Sequence, residues 1–335
     1  MRPIFENLAM DQIQKIARKM ATSNVLRTMA SPERSEQLLT SIRALSDNAL
    51  DAMAALDGIP EEQYPIFRAH IRGEPNPFLE EVGAVDGKLR TGDVILMTGT
   101  AQRSKLLAAA QKPFYVYGKS SHVALVHADF ICIDAIPGAG VSNRLIQDVL
   151  ADVEDDWRVI RFKGIDERHA DVIRRACSYY LAQPYKIKPS WKSGRDHAYC
   201  SELVRKVYRD IGLTGTGINA SPIVAPAHFD QLADLHTQWR DVTADAKIYV
   251  DVCRKYSAML KVTAKIFIHG LELNRLRFTD RKNALKQAQL AMSKKLLTKE
   301  KYIAMVKETK EIEASLHHHF WDTGKPLNRA AEQPT

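Results

Sequence analysis

The sequence has few cysteines, and the few it has are scattered. Four cysteines occur among 335 residues, and no two of them form a C-x-x-C pair. A disulfide framework and a cysteine-rich zinc site are therefore both excluded as organising features of the fold. We accordingly expect a reducing environment, no metal and no cofactor.

Long hydrophobic runs are also lacking. No segment approaches the length needed to span a bilayer, and the N-terminus lacks the uninterrupted apolar core of a secretory signal peptide. We therefore expect a cytoplasmic protein by default, while secretion without a cleaved signal stays open. With 335 residues the chain can bury a sizeable core and form more than one compact unit, and its 45% hydrophobic and 26% charged residues are ordinary for a soluble globular protein.

Acidic residues are scarce in one region. The net charge of the chain is +8. Residues 251–300 contain 12 Lys and Arg against 4 Asp and Glu, so the excess of basic residues in this region equals the excess in the whole chain. This region could contact an anionic surface. Ordinary solvated helices covering a core explain the same charges and are the favoured interpretation. Phe278 is the only aromatic residue between Phe267 and Tyr302, so we expect no nucleic-acid binding by base stacking.

Helical patterns occupy both ends of the chain. Residues 4–22 and 33–56 are predicted to be amphipathic helices, the second starting after a Ser-Pro-Glu signal. Four prolines between residues 60 and 77 predict a short helix followed by a linker. Near the other end, residues 270–296 and 299–316 are predicted to form an antiparallel helical hairpin.

Three details of the C-terminal region complete this prediction. Thr298, between the two helices, is a plausible N-cap for the second. The run His317–His319 is interpreted as a solvated helix face and not as a metal site, because zinc sites need convergent ligands. Residues 326–335 are expected to be a disordered tail.

Between these ends the pattern changes to short strands and helices. Residues 121–126 and 130–136 are strand-like runs joined by a tight connection, which predicts a β-hairpin. The remaining predicted elements are a turn and strand over 88–97, a helix over 104–111, a turn over 137–141, a strand over 157–162, a helix over 167–181, a strand over 223–226 and a short helix over 230–235.

Cys200 lies where a loop gives way to a helical pattern. Apolar residues recur after it at helical spacing, from Leu203 to Ile211, so Cys200 is predicted to occupy the first turn of a helix. A thiol at a helix N-terminus meets unpaired backbone N–H groups and the positive end of the helix dipole, and both favour the thiolate. A cysteine taken alone is more often a buried structural residue, so this one needs a partner base before it can be assigned a role.

His122 is the candidate base, because it opens the first strand of the predicted hairpin. With a three-residue loop over 127–129, His122 would lie opposite Asp134, which could orient the imidazole and stabilise the imidazolium. A two-residue loop would place His122 opposite Ala135 and aim Asp134 at the other face of the sheet. The predicted triad therefore depends on the register of one hairpin.

The other candidate residues have weaker claims. His197 is only three residues from Cys200, and a loop histidine that close in sequence rarely reaches across the thiol. His127 is expected in the hairpin turn. Cys132 and Cys177 lie within apolar patterns and are expected to be core residues.

Four motifs and their order along the chain resemble a known family, the circularly permuted NlpC-type papain-like cysteine hydrolases of the YiiX/YebB-like group. The motifs span residues 91–95, 121–126, 133–135 with 140–141, and 199–204. In that family the histidine strand precedes the cysteine helix, as it does here. Gln183-Pro-Tyr185 and Val224-Ala-Pro226 also fit the family pattern.

The resemblance implies roles for particular residues. Cys200 would be the nucleophile, His122 the general base and Asp134 the residue that orients the base, although family members more often carry Glu at that third position. The backbone N–H of Cys200 would be the first oxyanion donor. Tyr199 and Ser201 would lie in the vicinity of the substrate and the oxyanion, although Tyr199 is equally well explained by packing.

The resemblance also implies an α+β fold: a permuted papain-like antiparallel sheet packed on a cysteine-bearing helix, flanked by N-terminal helices and a C-terminal helical hairpin. The corresponding domains are an N-terminal helical region (1–85), a catalytic domain (86–245), a basic helical hairpin (246–325) and a disordered tail (326–335).

The implied activity is cleavage or transfer at an amide, ester or thioester bond of a small-molecule, peptide or lipid substrate. Two alternatives stay open. One is an inactive papain-like binding module that uses the basic helices as its partner surface. The other is an effector that is secreted without a signal and has the same cysteine chemistry.

Overall fold

A computed structural model describes residues 32–188 and 196–315. These residues divide into two compact units. The sheet unit comprises the described residues from 42 to 264, and the helical unit comprises residues 32–41 and 265–315. Within the described ranges, no helix is both long enough and apolar enough to cross a membrane.

One antiparallel sheet forms the centre of the sheet unit. Its strands are β1 (Val94–Met97), β2 (His122–Ala128), β3 (Ile131–Ile136), β4 (Gly140–Leu145), β5 (Arg158–Phe162) and β6 (Trp239–Asp241). Their order across the sheet is β4-β3-β2-β1-β5-β6. Both faces of the central strands are buried, since β1 is buried at every residue and β2 at every residue but the first. Such strands are built from nearly continuous apolar residues, which is the pattern of β1 and β2.

Helices account for most of the remaining described residues. They are α1 (Pro32–Arg43), α2 (Asp47–Leu56), α3 (Tyr64–Arg72), α4 (Pro77–Ala84), α5 (Gln102–Ala110), α6 (Ile146–Val149), α7 (Ala170–Tyr180), α8 (Cys200–Asp210), α9 (Pro226–Leu235), α10 (Thr243–Lys255), α11 (Ser257–Ser293) and α12 (Lys299–Ser315). The molecule is thus a mixed protein of helices and antiparallel sheet, as the sequence predicts.

The two faces of the sheet are covered by different helices. Ile95 and Ala124, which are paired across β1 and β2, share a hydrophobic cluster with residues of α2, α3, α4 and α10. The opposite face carries α8, whose Tyr208 ring meets the Phe162 ring of β5 at a centroid distance of 6.3 Å. Helix α8 also contacts α7, β2 and β3. The sheet is therefore the middle layer between two sets of helices.

Helix α8 is buried more completely than its amphipathic pattern suggests. Its apolar residues Leu203, Val204 and Val207 have no exposed surface, as the spacing predicts. Glu202 and Lys206 are also buried, and they form an ion pair at 3.4 Å. Since unpaired buried charges are costly, each of these side chains makes the burial of the other tolerable.

The N-terminal part of the chain differs from the prediction. Residues 33–56 are not one helix, because the chain breaks after Arg43 and the Ser46 side chain caps α2 by accepting from the Ala49 N–H. Residues 60–77 were expected to hold one short helix and a linker, but two helices, α3 and α4, follow. Asn76 caps α4 by accepting from the Leu79 N–H at 3.1 Å.

Two strands were missed and one predicted strand is absent. Residues 140–145 form β4 although their start was predicted as a turn, and residues 239–241 form the short edge strand β6. Residues 223–225 are irregular. The backbone of Val224 is bound there by two side chains: Ser201 donates to its carbonyl at 2.7 Å, and its N–H donates to the Tyr199 hydroxyl at 3.0 Å.

The predicted C-terminal helices are present with different bounds. Helix α11 begins at Ser257, earlier than the predicted residue 270. Thr298 caps α12 by accepting from the Lys301 N–H at 3.3 Å, which confirms the predicted N-cap. Whether the two helices form a hairpin stays a prediction. The predicted helix over residues 4–22, the run His317–His319 and the tail 326–335 lie outside the described residues.

Candidate active site

Cys200 is the first residue of α8, as predicted. Tyr199 before it has an extended backbone and provides no side-chain cap, so backbone N–H groups at this helix end are left for other acceptors. The Cys200 sulfur accepts from the Ser201 N–H and from the Val123 N–H at the start of β2. Within the described part of the chain, the Cys200 N–H forms no hydrogen bond, so it is available to a bound oxygen atom.

His122 is the first residue of β2, and its position there brings it to the thiol. The β2–β3 pairing stops at Leu125 and Ile133, so the start of β2 extends beyond the ladder. His122 Nε2 donates to Asp134 Oδ2 at 2.9 Å, and the ring also forms a hydrogen bond with Cys200. Because Nε2 is occupied, Nδ1 is the nitrogen that faces the sulfur.

Asp134 lies within β3, and its side chain is fully buried. Its Oδ2 receives His122 Nε2, and the guanidinium of Arg144 on β4 lies 3.5 Å from the same oxygen. Oδ1 is buried and forms no hydrogen bond with a described residue. The side chain of Asp134 therefore reaches the imidazole, although it is shorter than the Glu that the family more often has. Arg144 is a neighbour of Asp134 that the sequence analysis did not identify.

The hairpin register differs from both predicted alternatives. Val126 lies opposite Cys132 and Leu125 opposite Ile133, with a bulge between Val126 and Ala128. The turn is formed by residues 129–130, with φ +49° at Asp129. This register is shifted by two residues from the three-residue-loop prediction. Because side chains alternate with a period of two, that shift leaves His122 and Asp134 on the same face.

The side chains of Cys200 and His122 shift each other's pKa. Burial raises the pKa of the Cys200 thiol, but the charge and hydrogen bond of His122, with the backbone donors, outweigh burial and lower the pKa below its usual value. Burial lowers the pKa of His122, whereas the Cys200 thiolate and the Asp134 carboxylate raise it, to about 10. These opposite shifts favour the thiolate–imidazolium form of the pair over the thiol–imidazole form.

This pairing predicts the pH dependence of Cys200 alkylation. The rate with iodoacetamide should rise through a midpoint below the ordinary thiol pKa of about 8.5, because His122 favours the thiolate. In His122→Ala, only the backbone donors oppose the effect of burial, so the midpoint should move upward by about one pH unit or more. An unchanged midpoint in His122→Ala would show that the imidazole does not control the thiol. Cys253, whose pKa burial raises to about 12, should stay unreactive in this range.

Tyr199 and Ser201 flank Cys200, and both are buried. Their hydroxyl groups bind the backbone of Val224, which holds residues 223–225 against the start of α8. Ser201 also contacts Cys200 directly, because its backbone N–H donates to the sulfur. A direct role for either residue in binding substrate or oxyanion stays a prediction.

Tyr185 is a neighbour of the site whose place the sequence analysis did not identify. Its backbone pairs with Ala198, two residues before Cys200, and the Lys186 N–H donates to the Ala198 carbonyl at 3.2 Å. Burial, followed by the negative charge of the Cys200 thiolate, raises the pKa of Tyr185 to about 12. The phenol therefore stays protonated, and it can donate a hydrogen bond. Its only sequence signal was the motif Gln183-Pro-Tyr185.

The remaining histidine and cysteine candidates lie outside this constellation. His127 is not in the hairpin turn but within β2, where it is buried between the Asn143 side chain at 2.7 Å and the Arg174 carbonyl at 3.1 Å. Burial lowers its pKa to about 4, so it is neutral at physiological pH. His197 contacts Asp196 at 2.8 Å. Burial raises the pKa of Cys132 and of Cys177, as expected of core residues.

One comparison with known proteins gives a match. Residues 88–224 match the model of a family described as permuted papain-like amidase enzymes, the YaeF/YiiX, C92 family. The matched range contains Cys200, His122 and Asp134, and the resemblance found in the sequence is confirmed over it. No curated protein and no solved structure matches the chain.

Proposed function

From the match of residues 88–224 to the permuted papain-like amidases, we propose that this protein is a cysteine hydrolase or acyltransferase that works through an acyl-enzyme. Cys200 is the nucleophile, His122 the general acid and base, and Asp134 the residue that orients His122. The observation that carries the proposal is the unbroken series of hydrogen bonds from Cys200 through His122 to Asp134. Nucleophile, base and orienting group are then in the arrangement that thiol catalysis requires.

The first half of the reaction forms the acyl-enzyme. The Cys200 thiolate attacks the carbonyl carbon, and the carbonyl oxygen becomes an oxyanion within reach of the Cys200 N–H. The carbon–leaving-group bond then breaks, and the His122 imidazolium gives its proton to the departing nitrogen, oxygen or sulfur. The products are a thioester on Cys200 and a neutral imidazole.

The second half regenerates the thiolate. Neutral His122 takes a proton from water, and the resulting hydroxide attacks the thioester carbonyl. The carbon–sulfur bond breaks, the acid is released, and the thiolate–imidazolium pair is restored. In the acyltransferase variant, an alcohol or amine replaces water and is acylated. Asp134 keeps the Nε2–H tautomer in place and stabilises the imidazolium at each step.

The family description supports amides as the first substrate class to examine. Esters and thioesters pass through the same acyl-enzyme, so they belong to the same proposal. The acyl group could come from a small molecule, a peptide or a lipid. Because the three proposed residues act only on the carbonyl group, experiment must distinguish these substrate classes. No cofactor takes part in the proposed steps.

We also propose the domain boundaries that the sequence suggests. The sheet with α8 would form the permuted papain-like catalytic domain over residues 86–245, preceded by the helical region 1–85 and followed by the basic region 246–325. In support, the family match lies inside the central range. Against complete separation, α2–α4 share the hydrophobic cluster of the sheet, so the N-terminal helices are expected to be needed for folding of the catalytic domain.

We also propose that the basic stretch 251–300 could contact an anionic surface. Three of its cations are already paired within the sheet unit: Lys255 with Glu81, Lys261 with Asp148 and Arg254 with Asp251. This pairing weakens the proposal, so the stretch is used below as a comparison surface.

Model amides, esters and thioesters with short and long acyl chains test the proposed activity. With activated esters and thioesters, whose acylation is expected to be faster than deacylation, we expect a burst of about one leaving group per protein chain, followed by slower turnover. Addition of an amine acceptor should divert product from acid to amide if the protein is an acyltransferase. A folded protein that releases no leaving group from any of these classes would instead support the inactive binding module.

A further inference from the structure

Large apolar side chains are exposed along the segment between β1 and β2. This segment, residues 102–119, comprises α5 and the loop that follows it. The exposed apolar residues are Leu106 at 63%, Leu107 at 57%, Phe114 at 46%, Val116 at 61% and Tyr117 at 72%. Single exposed apolar residues need no explanation, but five within twelve positions indicate a surface that binds something.

The segment is held firmly in place against α9. The Gln111 side chain accepts from the Ala227 N–H at 3.0 Å and donates to the Ser120 carbonyl at 3.3 Å. The buried Asp230 carboxylate accepts from the N–H groups of Lys119 at 2.9 Å and Ser120 at 2.8 Å. Because these contacts fix the backbone, the apolar side chains are displayed by the fold and are not a consequence of fraying.

The charges of the segment are all positive. It contains Arg103, Lys105, Lys112 and Lys119, and no Asp or Glu occurs from residue 94 to residue 128. Lys105 pairs with Glu154 at 2.7 Å and Lys119 with Asp156 at 3.6 Å. Arg103 and Lys112 are exposed and form no ion pair with a described residue. Two positive charges beside the apolar side chains therefore remain for a partner.

We propose that residues 102–119 are a docking surface for an anionic phospholipid bilayer. Leucine and aromatic side chains beside Arg and Lys are the composition of segments that lie in the bilayer interface, with apolar groups among the acyl chains and cations at the phosphates. Side chains exposed by about half or more face outward, which fits a broad surface better than a pocket for one ligand. The segment ends three residues before His122, so docking would bring the bilayer close to the candidate active site.

Vesicle co-sedimentation of the full-length chain tests this proposal. Wild type and Cys200→Ala should bind vesicles that contain phosphatidylglycerol, and both should bind pure phosphatidylcholine more weakly. Binding by Cys200→Ala needs no chemistry, so failure of docking and failure of the proposed activity are separate results. Helical content measured by circular dichroism checks that each variant is folded.

Matched leucine variants decide which surface binds. Leu106→Ser/Leu107→Ser should lower the partition coefficient at least about tenfold, because both side chains lose their transfer into the interface. Leu56→Ser/Leu296→Ser removes two leucines outside the segment, which are 88% and 79% exposed. This control should change the partition coefficient less than about twofold. Arg103→Gln/Lys112→Gln should reduce binding to the anionic vesicles about tenfold, and should leave binding to phosphatidylcholine unchanged.

Three outcomes would overturn the proposal. The wild-type chain could fail to bind anionic vesicles, which would show that the apolar surface does not dock on such a bilayer. Binding could be unaffected by the Leu106→Ser/Leu107→Ser change. Binding could instead be lost only in Lys282→Glu/Lys286→Glu, which would place the lipid surface on the basic helix α11.

Discussion

Cys200→Ala is expected to abolish turnover, with a loss of at least about 10³-fold, while the protein stays folded. The loss is large because no other described thiol can replace Cys200: burial raises the pKa of Cys132, Cys177 and Cys253. The fold should tolerate the change, since the substitution removes one sulfur atom at the end of a helix. Turnover of the best model substrate and the thermal unfolding midpoint are the two measurements.

Cys177→Ala is the matched control for this variant. It makes the same chemical change at a buried position on α7, within the apolar face of that helix. We expect it to keep nearly full turnover and to lose about 1–2 kcal/mol of stability, because it leaves a small cavity. If Cys177→Ala lost activity as severely as Cys200→Ala, unfolding and not loss of the nucleophile would explain both.

Asp134→Asn is expected to reduce turnover by about 10²- to 10⁴-fold. The amide keeps the shape of the carboxylate but carries no charge, and it can present its NH₂ group to His122 Nε2 and so favour the wrong tautomer. Loss of the negative charge should also lower the pKa of His122 from about 10, since Asp134 is one of the groups that raise it. The alkaline limb of the pH–rate profile should therefore move to lower pH.

An exposed carboxylate provides the comparison. Asp171→Asn removes a side chain that is 78% exposed and paired with Arg174 at 3.3 Å, and should leave both turnover and the alkaline limb unchanged. The pH shift distinguishes an orienting role of Asp134 from a merely structural one, because destabilised protein would lose activity without moving the limb. If the alkaline limb of Asp134→Asn did not shift, Asp134 would not have the proposed orienting role.

The helix that begins at Cys200 could be predicted from the sequence because its signals are local. Apolar spacing after Cys200 determines which residues of α8 face the sheet, and the helix start follows from the same pattern. The break at Ser46 was missed although its capping signal, Ser46-Asp47, is also local, because the apolar pattern continues across it.

The contact between His122 and Asp134 could be predicted only in part. Alternation along a strand fixes which residues share a face, and that parity brought Asp134 to the side of His122. The pairing itself depended on a bulge and on a turn at Asp129 with positive φ, neither of which is marked by a glycine. The predicted β2–β3 register was therefore wrong by two residues, whereas the prediction that His122 and Asp134 share one face of the sheet was correct.

The positions of Arg144 beside Asp134 and of Tyr185 beside Cys200 could not be predicted from the sequence. Arg144 reaches Asp134 because β4 pairs with β3, and β4 was missed since its polar residues Ser142 and Asn143 interrupt the apolar pattern. Tyr185 approaches Cys200 through a single bridge to Ala198. The exposure of residues 106–117 likewise depends on the packing of other elements, since the same apolar residues would suit a buried helix.

The most direct test of the central claim is the intact mass of the protein, measured after rapid quenching during reaction with model substrates and with lipid or muropeptide mixtures. The account predicts a mass increase of one acyl group, located on the peptide that contains Cys200 and absent from Cys200→Ala. An unmodified mass with every substrate, together with a Cys200 thiol that titrates at the ordinary value, would contradict it.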